Sequence, residues 1–269
     1  MVLGAMAAPG MGISPRWDAD LKGVTNLTQS AGFPAAINRL VIENPCGTVH
    51  VRGVENAPAG WKWNLRVRAG SDAVAQQVAS RVQCRTEVEG DHLKLIVTAP
   101  EPVDPRAVLS ELEITVPKAT AIEARTRNGL IDITDLNADV EVVNQNGPVG
   151  VHRVTGRVRV QTAGGRLSVT DAGSAILRNQ SGEIEAANIN GALDAKTSDA
   201  PLVAENIDGI AALINQNGDI RASYIRGGMD AGASFGAINA HDIEGAIKLQ
   251  DENGSVDVVR SNAESMRMN

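Results

Sequence analysis

Aromatic residues are nearly missing from this chain: two Phe, three Trp and one Tyr in 269 residues. That shortage removes the stacking platforms that hold single-stranded nucleic acid. It also leaves any core to Val, Ile, Leu and Ala. Cysteine is scarce, with only Cys46 and Cys84, so a disulfide-rich scaffold is excluded. Two readings of the pair stand: one disulfide in an oxidising compartment, or two free thiols. No run of about 18 apolar residues occurs, so no membrane span is expected. Basic excess is lacking too. Lys and Arg number 25 against 32 Asp and Glu, a net charge of −7, which disfavours a nucleic-acid partner.

Catalytic and metal signatures are also wanting. His50, His92, His152 and His241 fall in no HExxH or Cys/His spacing. No GxGxxG or Walker loop stands at a strand-to-helix junction, and no GxSxG occurs. The sequence therefore assigns no catalytic residue, no metal ligand and no cofactor.

Glycine is abundant, at 27 residues, and it is periodic. A small residue recurs at Gly129, Gly147, Gly165, Gly182, Ala200, Gly218, Gly236 and Gly254, at intervals of 18 with a single 17. Two residues after each anchor stands an aliphatic: Ile131, Val149, Leu167, Ile184, Leu202, Ile220, Ile238 and Val256. Four residues on, the series runs from Ile133 through Val151, Val169 and Ala186 to Val258, and seven residues on from Leu136 to Ile243. A spacing of two puts both side chains on one face of a strand. A second glycine series, Gly156, Gly173, Gly191, Gly209, Gly227 and Gly245, halves the period and is again followed by apolar pairs. Each coil thus has two short strands. A lone coil cannot bury its inner face, so the coils must stack. The fold class is mainly β, a parallel β-solenoid with coils of 18 residues.

Before most anchors lies a polar column: Asn144, Thr162, Asn179, Thr197, Asn215 and Asp251, with Ala233 the exception. Such side chains bond to turn backbone and to one another, so the column is a structural turn ladder rather than a ligand site. Six residues after the anchors stand Asp135, Arg153, Asp171, Asn188, Asn206, Tyr224, Asp242 and Arg260. Asp135, Arg153 and Asp171 are vertical neighbours. They form either a small ion- or sugar-binding patch or a charge ladder that avoids stacking like charges, and the second is the plainer reading.

Four segments are expected. Residues 1–36 form an irregular leader in which Ala5-Met6-Ala7 resembles a signal-peptidase site without a basic start. Residues 37–120 form a β-rich capping region with one amphipathic helix near 71–82, N-capped by Ser71 and striped by Val74, Val78 and Val82. The solenoid occupies 121–260, and 261–269 is a polar tail. Within the capping region, Gly47, Val49 and Val51 already follow the anchor rule.

Three stretches carry a resemblance: LVIENPCGTVHVRG at 40–53, ELEITVPKATAIEARTRNGLIDI at 111–133, and the NQNG, QSGEIEA and NQNGDI repeats that follow. In these the chain resembles the bacterial putative-adhesin family of β-strand-repeat domains of unknown function. The resemblance implies a right-handed coil, a periplasmic, extracellular or cell-envelope location, and no catalytic residues. The expected function is a non-enzymatic scaffold that binds protein, glycan or further copies of itself. The alternatives are a polysaccharide-acting β-helix enzyme, with Asp135, Arg153 and Asp171 as its residues, and an end-to-end polymerising structural protein.

Overall fold

The computed structural model describes residues 22–33, 37–90, 92–99 and 107–268. The reading placed on Ala5-Met6-Ala7 lies outside these residues. The first elements are β1 (Gly23–Gly32), β2 (Arg39–Cys46), β3 (Thr48–Val54), β4 (Gly60–Ala69), α1 (Asp72–Ala79), β5 (Gln83–Glu89), β6 (His92–Thr98) and β7 (Val108–Pro117). Then come β8 (Ala121–Asn128), β9 (Ile131–Leu136), β10 (Val140–Asn146), β11 (Val149–Gly164), β12 (Leu167–Ser181), β13 (Ile184–Ile189) and β14 (Leu193–Thr197). The last are β15 (Leu202–Ile207), β16 (Ala211–Asn215), β17 (Ile220–Ile225), β18 (Met229–Ala233), β19 (Ile238–Asp251), β20 (Val256–Val259) and β21 (Asn262–Met268).

The anchors stack as the period requires. Ile131 lies beside Val149, Val149 beside Leu167, and Leu167 beside Ile184, all in parallel register. Two ladders of strands climb the rod. One runs β6, β2, β8, β10, β11, β12, β14, β16, β18, β19 and β21. The other runs β7, β3, β9, β11, β12, β13, β15, β17, β19 and β20. The long strands β11, β12 and β19 turn the corner and serve both. Inward residues two, four and seven past each anchor are fully buried from Ile131 to Ile243 and merge into one core. That continuity supplies the hydrophobic stabilisation no single coil has.

The corner itself follows from backbone geometry. Asp135, Arg153, Asp171, Asn188, Asn206, Tyr224, Asp242 and Arg260 all have φ between 52° and 64°. Each drops out of the ladder: His152 pairs with Thr170 and Val154 with Ala172, but Arg153 and Asp171 are skipped. A single left-handed residue per coil re-aims the strand. Asp and Asn tolerate that conformation best among side-chain-bearing residues, and they fill most of the column. At the anchors the constraint is closeness. A Cβ on Gly129 (φ +143°) would stand 1.8 Å from the Gly47 carbonyl oxygen.

The stack does not follow chain order at its start. β2 lies between β6 and β8, and β3 between β7 and β9. The chain therefore lays down a coil (β2, β3), departs to build the end, and returns with a coil beyond the first (β6, β7). It then steps back over both to continue at β8. Lys118 N donating to the Val54 carbonyl and Ala121 N to that of Asn38 pin this step. The end is closed by antiparallel strands, β4 on β7, β1 on β4, and β5 on β6. Trp63 is wholly buried beneath them and donates its Nε1–H to Ser110 Oγ at 2.9 Å.

Three local readings are corrected. Residues 23–32, expected to be irregular, form β1; its side chains are mostly exposed, so it has no apolar alternation to betray it. The tail at 262–268 is likewise a strand, laid on β19. Ser71 does cap α1, accepting from Val74 N, but the helix stops at Ala79. Its buried side is Ala75 and Ala79, joined by Val82 beyond its end, while Val74 is 45% exposed. Gly23 presses on the Ser71 backbone and Val24 N donates to Asp72 Oδ1, so small residues face the tight contact and the valine turns outward.

Candidate functional site

The polar column lies inside the wall. Asn144, Thr162, Asn179, Thr197 and Asn215 are 0–4% exposed. Asn144 Nδ2 donates to the carbonyls of Gly129 and Gly147, and Asn179 Nδ2 to that of Gly165 at 2.8 Å. Thr162 Oγ1 donates to the Gly164 carbonyl, Thr197 Oγ1 to that of Gly182, and Asn215 Nδ2 to that of Ala200. Asp251, at the last coil, accepts from Gly254 N. The Asn and Thr side chains satisfy turn carbonyls that the ladder leaves over, as buried polar groups require.

The column six past the anchors is exposed and self-paired. Arg153 Nε donates to Asp135 Oδ1 at 2.7 Å and its Nη2 to Oδ2 at 3.2 Å. Asn188 bonds Asp171, Asn206 bonds Asn188, and Arg260 bonds Asp242. The Arg153 hydrogen bond holds the Asp135 carboxyl below the usual carboxylate range, with Arg52 adding to the pull. A general acid needs the opposite shift. This is the geometry of a charge and amide ladder.

The histidines are dispersed. His50 faces Asp132 at 3.5 Å, His152 meets Thr170 Oγ1 at 2.8 Å, and His241 meets Asp242 at 3.0 Å. No group of three or more potential metal ligands exists among the described residues. Cys46 and Cys84 are both free. β6 runs between β2 and β5, so their backbones stand roughly two strand spacings, ~9–10 Å, apart, beyond disulfide reach. Burial pushes their thiols up to about 11 and about 12 respectively.

A different surface is concave. Three grooves of about 410, 440 and 520 Å³ lie along the outward face of the ladder that contains β2, β8 and β10. The first and second share Val143 and Gln145, and the second and third share Lys196. Together they make one trough across ten strands, from β6 and β2 to β19, roughly 40 Å at ~4.8 Å per strand. It is lined by residues two and four before the anchors, which face out from the wall whose inner side is the turn ladder. Gln145, Gln161, Gln180, Gln216 and Gln250 line it, and they are all the glutamines after residue 83. Their side chains make no hydrogen bond among the described residues. Two buried amides beneath the floor also carry an unpartnered atom, Asn44 Nδ2 and Asn179 Oδ1, and they line the first and second grooves. Free amide donors and acceptors in a row can hold a polar chain along its length.

Sequence reasoning placed no function here. The NQNG, NQSG and NQNG strings were absorbed by their asparagines and glycines as turn chemistry. Their glutamines, at fixed offset and facing outward, were the signal.

The model for the Toastrack DUF4097 family matches residues 106–269. The chain belongs to that family. No curated protein matches it. Among solved structures, the Toastrack chain is similar to a protein from Bacteroides fragilis described as a putative adhesin, at 16% identity and a TM-score of 0.49, covering 90% of this chain and 97% of that one. A putative adhesin from Parabacteroides distasonis shares 13% identity (TM-score 0.46; 93% and 99% covered). A protein from the same species described as a putative lipid binding protein also shares 13% (TM-score 0.43; 92% and 98%). No helix among the described residues is long and apolar enough to cross a membrane.

Proposed function

We propose that this Toastrack protein is a non-enzymatic scaffold of the cell envelope that holds an elongated partner, glycan or protein, in its outward trough. The observation that carries this reading is the continuity of the trough. Three grooves share lining residues and run along the rod, and their glutamine amides are unspent on the fold. Binding sites of this kind gain precision from rigid elements, and every strand beneath the trough is hydrogen-bonded on both sides. The envelope setting follows the family resemblance in the sequence. Against catalysis stands the Asp135–Arg153 pair, whose charges satisfy each other.

The test is a triple variant, Gln145→Glu, Gln161→Glu and Gln180→Glu, compared with wild type on arrays of glycans and of envelope proteins. The reading expects partners that wild type retains and the variant loses, with no turnover of any glycan bound. Retention of every partner by the variant, or specific glycan cleavage, would refute it.

A further inference from the structure

The trough is not electrically neutral, and its charge runs against that of the chain. Its lining holds Arg125, Arg127, Arg178, Lys196 and Lys248 against Glu43, Asp230 and Glu252. The whole chain carries 25 basic and 32 acidic residues. The middle groove has Arg178 and Lys196 and no carboxylate among its lining residues. Arg178 is partly committed: it donates to the carbonyls of Leu177 and Asp194 at 3.0 Å each and pairs with the Asp194 carboxylate. Lys196 is different. It is exposed, it sits where the second and third grooves meet, and it makes no ion pair or hydrogen bond among the described residues. A cation left without a partner between rows of free glutamine amides is complementary to a chain that alternates hydroxyls with carboxylates.

We infer that the occupant of the trough is an acidic glycan, a linear polysaccharide bearing uronate carboxylates, seated with a carboxylate on Lys196 and its hydroxyls on Gln161 and Gln180. This rests on the trough being the binding site proposed above. The chemistry separates it from other polymers. No aromatic side chain lines any of the three grooves, so neither nucleobases nor neutral sugar faces find a stacking surface. No open strand edge lies along the trough to pair with a peptide in extended form. Amides that both donate and accept suit sugar hydroxyls, and an ammonium donates three hydrogen bonds to carboxylate oxygens as a point charge.

The test uses the full chain and fluorescently end-labelled alginate oligosaccharides, read by anisotropy. The matched control is the same oligosaccharide after carboxyl reduction, which keeps the backbone and removes the charge. The expected result is binding that weakens with added salt, is at least tenfold weaker for the reduced oligosaccharide, and falls several-fold in Lys196→Gln but not in Lys196→Arg. Lys196 is exposed and unpaired, so its variants should keep the wild-type urea midpoint. Equal binding of the reduced oligosaccharide, indifference to Lys196→Gln, or no alginate binding at all would overturn the inference. So would Lys196-dependent binding of a single-stranded oligonucleotide in preference to alginate. If a neutral glycan or a protein is retained through Gln161 and Gln180 instead, the trough reading stands and the acidic ligand falls. If no ligand is sensitive to any trough residue, both fall.

Discussion

Gly147 is the position where the stacking argument makes its sharpest quantitative demand. Its φ is +123°, and a Cβ built there would lie 2.2 Å from the Gly129 carbonyl oxygen of the neighbouring coil. Reaching an ordinary contact of 3.4 Å means parting the coils locally by roughly 1 Å. That movement strains Gly129 N to Asn146 O at 2.9 Å, Gly147 N to Gly164 O at 3.3 Å and Asn144 Nδ2 to Gly147 O at 3.1 Å. The backbone conformation costs ~1–2 kcal/mol for an L-residue, and each weakened hydrogen bond ~0.5–1.5 kcal/mol. Gly147→Ala should therefore lose about 3 kcal/mol, a large share of the ~5–15 kcal/mol of a typical domain. The built-in comparison is Ala200, which occupies the same column without a positive φ. Ala200→Gly should cost only ~0.5–1 kcal/mol, through backbone entropy. Equilibrium urea unfolding measures both, and hydrogen exchange read on peptides around 129–147 localises the loss. A Gly147→Ala protein within ~0.5 kcal/mol of wild type, the ordinary surface range, would refute the reasoning.

Leu167 is fully buried between Val149 and Ile184, so Leu167→Ala should lose ~2–5 kcal/mol, seen as a lower urea midpoint. Asp135→Asn keeps a residue that accepts left-handed φ but removes the Arg153 pair. The folded carboxyl titrates below its unfolded value, so its contribution is present above the unfolded ~3.9 and is lost as pH falls through the folded value. The wild type should exceed the variant by at most ~1 kcal/mol at neutral pH, the range of an exposed pair, and the gap should narrow as pH falls through the folded value in pH-resolved urea titrations. Thiols raised to about 11 and about 12 stay protonated at pH 8. Iodoacetamide should then modify the folded protein slowly and the urea-unfolded protein twice without prior reduction, as read by mass spectrometry; alkylation that requires a reductant would contradict the free-thiol geometry.

Most of the rod was legible because its determinants are local and repeated. An anchor followed by aliphatics at plus two, four and seven leaves one way to bury the chain, and Ile131, Val149, Leu167 and Ile184 stack accordingly. The left-handed corner was legible only in composition. A column rich in Asp and Asn looks like a ligand site until the φ values show what the backbone asks of it. The cap was less legible. The insertion of β2 and β3 between two later coils is a long-range pairing with no local signature, and β1 is exposed on both faces, so periodicity cannot reveal it. The trough was hidden for a related reason. Residues facing solvent are unconstrained by packing, and Lys196 differs from other surface lysines only through its neighbours.

The most direct measurement is hydrogen exchange on the wild-type protein with bound alginate oligosaccharide, alongside Lys196→Gln. The expected result is protection confined to the outward trough, over β10, β11, β12, β14 and the turns that follow them, and weakened in the variant. Protection centred instead on the corner column of Asp135, Arg153 and Asp171, undiminished by Lys196→Gln, would contradict it.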